Sequence, residues 1–243
     1  MANLDALTAS SLEALGDQYR AIAHNLANVN TSGYKRLRNS FAQYLIDQLT
    51  SDETSPPAGE ISNTTTVDFS QGPVTRTGRP LDLAIEGEGL FVLETPEGNL
   101  YTRDGTFHTN ELGRLVDSLG RGVAGEGGPV TVPSTVPLTT VQVGRDGTIS
   151  AAGQTLGKLR LVKFAADDEL FPVGGGAYRA PDGATPAAAD AASVHQGFQE
   201  SSNVNAVEEM VGLITVTRLY EANLKAVSVQ DETMKNILQV ALG

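Results

Sequence analysis

The sequence predicts an α+β chain: coiled-coil-like helices at the N- and C-terminal ends pair with each other, and an all-β domain is inserted between them. Three observations carry that prediction. Apolar residues near both ends recur in alternating steps of three and four, the period of one helix face. The middle alternates apolar and polar residues in short runs broken by turn residues, the pattern of strands. Twenty-six glycines in 243 residues, with no tryptophan, point to turns and strands over at least part of the chain.

The first helix is read from Leu12, Leu15, Tyr19, Ile22, Leu26 and Val29, with Ala14, Ala21, Ala23 and Ala27 supplying good helix formers. Gly16 within it costs roughly 1 kcal/mol against alanine. The helix runs into "HNLANVNTSGYKR", His24 to Arg36. Here Asn28, Asn30 and Ser32 can bond the backbone groups orphaned at a helix end, and Gly33 can take the left-handed conformation of a cap or turn. Lys35, Arg36 and Arg38 would sit favourably near the negative end of the helix dipole.

Thr50 to Thr66 is a Pro/Ser/Thr/Gly-rich connector with little to bury. In "LDLAIEGEGLFVLETPEGNLYTRDG", Leu81, Leu83 and Ile85 share one face of a strand and "TPEGN" is a hairpin turn. "KLRLVKF", Lys158 to Phe164, reads as one further strand. The echo of Arg103-Asp104-Gly105-Thr106-Phe107 in Arg145-Asp146-Gly147-Thr148-Ile149 places Asp-Gly in two successive turns of one β-domain.

The last helix carries Met210, Leu213, Thr217, Tyr220, Leu224, Val227, Asp231, Met234 and Leu238 at the same alternating step, with a second apolar row at Val207, Val211 and Ile214. Ser202 or Asn203 is its natural N-cap, and Glu208 and Glu209 lie near the positive end of its dipole. Asp231 either is solvated where the stripe drifts or meets a cation on a neighbouring subunit and fixes register. Lone helices bury too little apolar surface to offset about 1–2 kcal/mol of entropy per ordered residue. The ends therefore read as assembly elements, Tyr19 and Tyr220 as helix–helix contacts within or between subunits. The expected division is 1–49 and 199–243 for the two halves of the helical domain, 50–80 for a connector with extended segments, and 81–198 for the inserted β-domain.

Composition removes several functions. The net charge of -12, carried mostly by residues 51–199, argues against a nucleic-acid binder, which needs clustered Lys and Arg. The chain has no cysteine, which excludes thiolate catalysis, Cys-ligated zinc and disulfides. No run approaches 18 apolar residues, and the opening stretch lacks the basic and apolar regions of a cleaved Sec signal. His24, His108 and His195 fall one in each zone, with no G-x-S-x-G elbow and no HExxH pair. "GEGGP" and "VGGGA" lack a Walker lysine or Rossmann spacing and read as turns. The run 167–169, Asp-Asp-Glu, lacks a calcium-loop pattern. No enzyme activity, cofactor or metal is expected. The alternative from another class is a secreted β-rich carbohydrate-binding or hydrolytic protein on a helical stalk.

"NLANVNTSGYKR" resembles the N-terminal motif of the bacterial flagellar axial proteins, the rod and hook family; its residues here are Asn25, Leu26, Ala27, Asn28, Ser32, Gly33, Tyr34 and Lys35. "ESSNVNAVEEMVGLI" and "RLYEANLKAV" are similar to the family's C-terminal signature through Ser202, Asn203, Val204, Asn205, Glu208, Glu209, Tyr220 and Glu221. "RPLDLAIEGEGLFVL" and "YTRDGTFHTNELGRLV" are similar to its β-domain. "GEGGPVTVP" with "LGKLRLVKF" is most similar to proximal-rod members, with distal-rod members next. The resemblance implies a structural subunit exported unfolded, without a cleaved signal, by the flagellar type III apparatus. It implies helical polymerisation in the periplasmic rod with other rod subunits and with itself, the terminal helices lining the inner tube and the β-domain forming an outer layer. On that reading the asparagine stretch is a joint that ends the inner helix and turns the chain outward.

Overall fold

The computed structural model describes residues 2–39, 65–165 and 170–242, apart from the side chains of 2–9, 230, 231, 234, 237, 238 and 240–242. The first part of the connector (50–64), the acidic run 167–169 and the side chains of Asp231, Met234 and Leu238 lie outside the described residues. The chain divides into two compact units, one of Met1–Ala27, Leu37–Thr66 and Asn205–Gly243, the other of Asn28–Arg36 and Val67–Val204.

The first unit is helical. Its helices are α1 (Ala2–Ala27) and α2 (Ala206–Leu242), which lie against each other. The side chains that α1 buries are small or polar as much as apolar: Ala14, Ala21, Ile22 and Asn25. On α2, Glu209 and Val216 are buried, and Gly212 and Leu213 are half-buried. A Cβ at Gly212 would stand 3.3 Å from Ile22 Cδ1, so the missing side chain at 212 leaves room for that of Ile22. The row of larger residues is only partly covered within one chain. Ile22 is buried; Leu12, Leu15, Leu26, Leu213 and Val227 are half-buried; Tyr19, Met210, Tyr220 and Leu224 are exposed. Alanine and glycine let the helices meet along a line offset from their larger side chains, which is why the apolar period alone does not locate the seam. Gly16 has nothing within 4 Å of where its Cβ would stand. Gly16→Ala is therefore expected to gain the helix propensity, about 1 kcal/mol, at no steric cost. A rise in thermal midpoint and in far-ultraviolet helix signal checks it.

The second unit is built of strands. Among the described residues of the whole chain, nineteen short strands run from β1 (Arg36–Asn39) to β19 (Phe198–Glu200). β5 (Leu90–Thr95) lies at the centre of a ten-stranded sheet and pairs with β6 (Gly98–Thr102) through a two-residue turn, Pro96-Glu97. Its two faces enter different cores. Phe91 and Leu93 join Leu83, Ile85, Phe107, Ile149 and Leu159; Leu90 and Val92 join Tyr101, Val162 and Tyr178. A strand buried on both sides reads as a continuous apolar run, and "LFVL" is that run. Phe91 and Phe107 meet edge to face at 5.1 Å.

"KLRLVKF" is not one strand. Lys158 ends β13 (Gln154–Lys158) in a three-stranded sheet, and Leu161 begins β14 (Leu161–Lys163) in the ten-stranded one. Between them Leu159 is buried while its N–H donates to Gly147 O (2.9 Å) and Arg160 N–H donates to Ala124 O (3.0 Å). These two bonds satisfy the backbone where the chain changes sheets. The paired Asp-Gly turns hold as read. Asp104 Oδ1 accepts from Thr106 N–H (3.0 Å) and Oγ1 (2.6 Å), and Asp146 accepts from the same two groups of Thr148. Two strand pairs place the C-terminal end of the β unit: β4 (Leu83–Glu86) with β18 (Ser193–Gln196), and β3 (Val74–Arg76) with β19, which sets Glu200 opposite Val74.

Candidate functional site

Within the β unit, the segment after α1 is fastened by residues from far along the chain. Asn28 opens it with a tight turn, its main-chain O accepting from Thr31 N–H (3.0 Å) and its Oδ1 from Thr31 Oγ1 (3.1 Å). Gln199 Nε2 donates to Ser32 Oγ. Gly33 has φ +63°, and a Cβ there would overlap the main chain at Arg103 and Asp104. That close approach lets Gly33 N–H donate to Glu200 O at 2.8 Å. Tyr34 is buried and its O accepts from Asn203 N–H (3.4 Å).

Lys35 is not a cation at a helix end. It is 0% exposed, and its ammonium donates to Glu200 Oε1 (2.5 Å) and Ser70 O (2.6 Å), while its amide donates to the Tyr178 hydroxyl (3.1 Å). Glu200 is equally buried; its Oε1 also accepts from Gly72 N–H (2.9 Å), and its Oε2 lies 3.6 Å from Arg103 Nη1. Arg103 donates in turn to Ile85 O and Gly87 O. Burial holds the Lys35 pKa below the ordinary lysine range, opposed by the carboxylate beside it. Burial also pushes the Tyr178 hydroxyl above its usual value, so it stays protonated in its contact with the Lys35 amide. A buried charge is tolerated when it is paired, and this node pairs residues 35 and 103 with 200, although Glu200 Oε2 and Arg103 Nε make no hydrogen bond.

The C-terminal motif supplies matching fasteners. Asn203 Oδ1 accepts from Arg36 N–H (2.7 Å), and its Nδ2 donates to Asp68 O (2.8 Å) and Ser70 O (3.1 Å). Ser202 and Val204 are buried, with Ser202 Oγ accepting from Val204 N–H (3.2 Å). In the helical unit, Asn25 makes a two-point pair with Leu37, its Oδ1 accepting from Leu37 N–H (2.8 Å) and its Nδ2 donating to Leu37 O (2.9 Å). The N-cap of α2 is Asn205, not Ser202 or Asn203: its Oδ1 accepts from Val207 N–H (3.1 Å) and its Nδ2 donates to Glu208 Oε1 (3.1 Å). Ser202 and Asn203 are taken up by the β unit, which leaves the cap to the residue adjoining Ala206. Ala27 and Glu221 are exposed, and Val29 is half-buried.

The sequence reading missed the partnership of Lys35, Arg103 and Glu200. The signal for it was Lys35 and Glu200, charged residues among the backbone-directed asparagines, serines and glycine of the two motifs. The arrangement fastens residue 35 to residues 103 and 200. A serine, a histidine and a carboxylate do meet elsewhere, but Ser193 Oγ (3.3 Å) and Glu86 Oε2 (2.7 Å) approach the same His195 nitrogen, Nε2. A hydrolytic triad needs them on opposite ring nitrogens. No described helix is long and apolar enough to cross a membrane.

Comparison with known proteins gives these fasteners a context. A family model described as the flagellar hook protein FlgE/F/G D1 domain matches residues 84–151, and one described as flagellar basal body rod FlgEFG protein C-terminal matches residues 195–240. The chain is 33% identical to flagellar basal-body rod protein FlgG of Buchnera aphidicola subsp. Acyrthosiphon pisum, over 96% of this chain and 98% of the relative. It is 36% identical to FlgF of Caulobacter vibrioides over 84% and 83%, and 31% identical to FlgG of Bacillus subtilis over 90% and 91%. With similarity of that extent running through both motifs and the β unit between them, the chain belongs to the flagellar basal-body rod protein family.

Proposed function

We propose that the chain, a structural subunit of the flagellar basal-body rod, polymerises helically through its terminal helices, which pair in coiled-coil fashion and form the wall of the rod's export channel. It reaches the periplasm unfolded through the flagellar type III apparatus and without a cleaved signal. There it stacks with other rod subunits and with itself. One observation carries this reading: α2 leaves Met210, Val211, Ile214, Tyr220, Leu224 and Val229 between 40% and 59% exposed. Single exposed apolar residues are ordinary, but several turns of them along one helix call for a partner. Neighbouring subunits supply such cover through contacts that do not close on themselves, as a rod requires. Proximal rod is the first assignment within the family, with distal rod or hook-type membership second, on the likeness of residues 125–133 and 156–164 to proximal members.

The test is deletion of the gene in its own bacterium. Basal bodies imaged by electron cryo-microscopy are expected to carry truncated rods, restored by the gene supplied in trans. Intact rods in the deletion strain, with the purified chain forming a closed oligomer of fixed mass, would refute the proposal.

A further inference from the structure

We propose that Glu200 makes docking of the 32–36 strap conditional on the 198–203 crossing, so that the two ends of the β unit become ordered together or not at all. The anchors of the strap come almost entirely from that crossing. Gln199 holds Ser32, Glu200 O holds Gly33, Asn203 holds Tyr34 and Arg36, and the Glu200 carboxylate holds the Lys35 ammonium. From the rest of the unit the strap receives two neutral partners, the Tyr178 hydroxyl for the Lys35 amide and Ser70 O for its ammonium.

The charge makes the dependence strong. Lys35 is completely buried, and Glu200, 165 positions later, is the carboxylate it contacts. A strap that docked without Glu200 would bury an ammonium hydrogen-bonded only to a neutral acceptor, with the attraction of Asp68 set against the repulsion of the Arg103 guanidinium. The same carboxylate oxygen takes the Gly72 amide, and neither Gly33 nor Gly72 has room for a Cβ beside the main chain it touches. The strap is therefore seated by close backbone contact and one ionic bond, with little apolar side-chain burial apart from Tyr34. A chain still missing its C-terminal crossing keeps residues 32–36 undocked. This goes beyond the rod reading and does not rest on it, because it is measured on the isolated chain.

The test is hydrogen–deuterium exchange on the full-length protein, comparing E200Q with K35M. Gln is nearly isosteric with Glu, so E200Q removes the charge and leaves the backbone anchors in place. Exchange at the Gly33, Lys35 and Arg36 amides is expected to rise at least a hundredfold in E200Q, while the Phe91 and Val92 amides at the sheet centre keep the wild-type rate. K35M removes the charge the strap must bury and leaves Arg103 facing Glu200, so strap exchange is expected to stay within about threefold of wild type. Unchanged strap exchange in E200Q, or equal release in K35M, would overturn the proposal. If E200Q does not fold, K35M/E200Q decides: a protected strap supports the proposal, and a released one refutes it.

Discussion

Gly105→Ala is expected to cost the β unit about 3 kcal/mol, the upper part of the usual range for overpacking. The cause is contact with main chain. A Cβ at residue 105 would overlap the Leu83 carbonyl oxygen and stand 3.1 Å from Phe91 Cε2. Neither neighbour can move away. Leu83 is 0% exposed at the start of β4 and donates its own N–H to Gly105 O at 3.0 Å. Gly105 O also accepts from Phe107 N–H (3.0 Å), and Phe107 packs edge-on against Phe91. Displacing the turn to admit a methyl would stretch both hydrogen bonds and open the junction of four wholly buried side chains, those of Leu83, Ile85, Phe91 and Phe107. With a urea slope of about 3 kcal/mol per molar, the unfolding midpoint is expected to fall by about 1 M. Gly147 occupies the same place in the sequence echo but has different surroundings. Its Cβ would meet Leu159 at 3.4 Å, an ordinary contact, and its constraint is φ +82°. Gly147→Ala is therefore limited by backbone strain of about 1 kcal/mol, and equal losses in the two variants would contradict the steric account.

That contrast shows what the sequence could and could not reveal. "RDGT" twice predicts two Asp-Gly turns, because the Asp and Thr side chains close them locally, and both are present. Which glycine lies against another strand depends on partners 22 and 12 residues away and leaves no local trace. The same division holds along the chain. Helix existence, the 96–97 hairpin turn and the apolar run at β5 follow from short-range patterning. The end of β13 at Lys158 does not, because a Leu159 amide bonded to Gly147 makes the break. Similarly, apolar periodicity finds a helix face, but the seating of Ile22 beside Gly212 is a contact that no count of large residues registers. The motifs were visible as motifs. Their chemistry was not: Lys35 beside a helix terminus looks like a dipole partner until the chain is folded and Glu200 arrives from the other end.

The helix rows set up a second large effect. Ile214→Asp combined with Leu224→Asp is expected to leave the isolated chain folded and to abolish rod formation. Both side chains are about half exposed, 55% and 47%, and neither occupies the buried positions around Val216. In the free chain each aspartate costs about 0.5 kcal/mol of helix propensity. In a rod whose subunits cover this face, each would be moved from water into an apolar contact without a counter-charge, at about 3 kcal/mol or more per site. Two sites give about 6 kcal/mol per subunit contact, a weakening of about four orders of magnitude at 1.4 kcal/mol per decade. Supplied in trans to the deletion strain, the double variant is expected to leave rods truncated, although the purified protein keeps the wild-type circular dichroism spectrum and monomer mass. Val216→Asp provides the contrast. Val216 is 2% exposed within the chain, so an aspartate there is expected to disrupt the isolated helical unit before assembly is reached. If the double variant restored normal rods, the exposed apolar residues of α2 would not be the assembly surface. If it unfolded as Val216→Asp does, those residues would be structural within one chain. Loss of rods from a folded monomer is the result that assigns them to contacts between subunits.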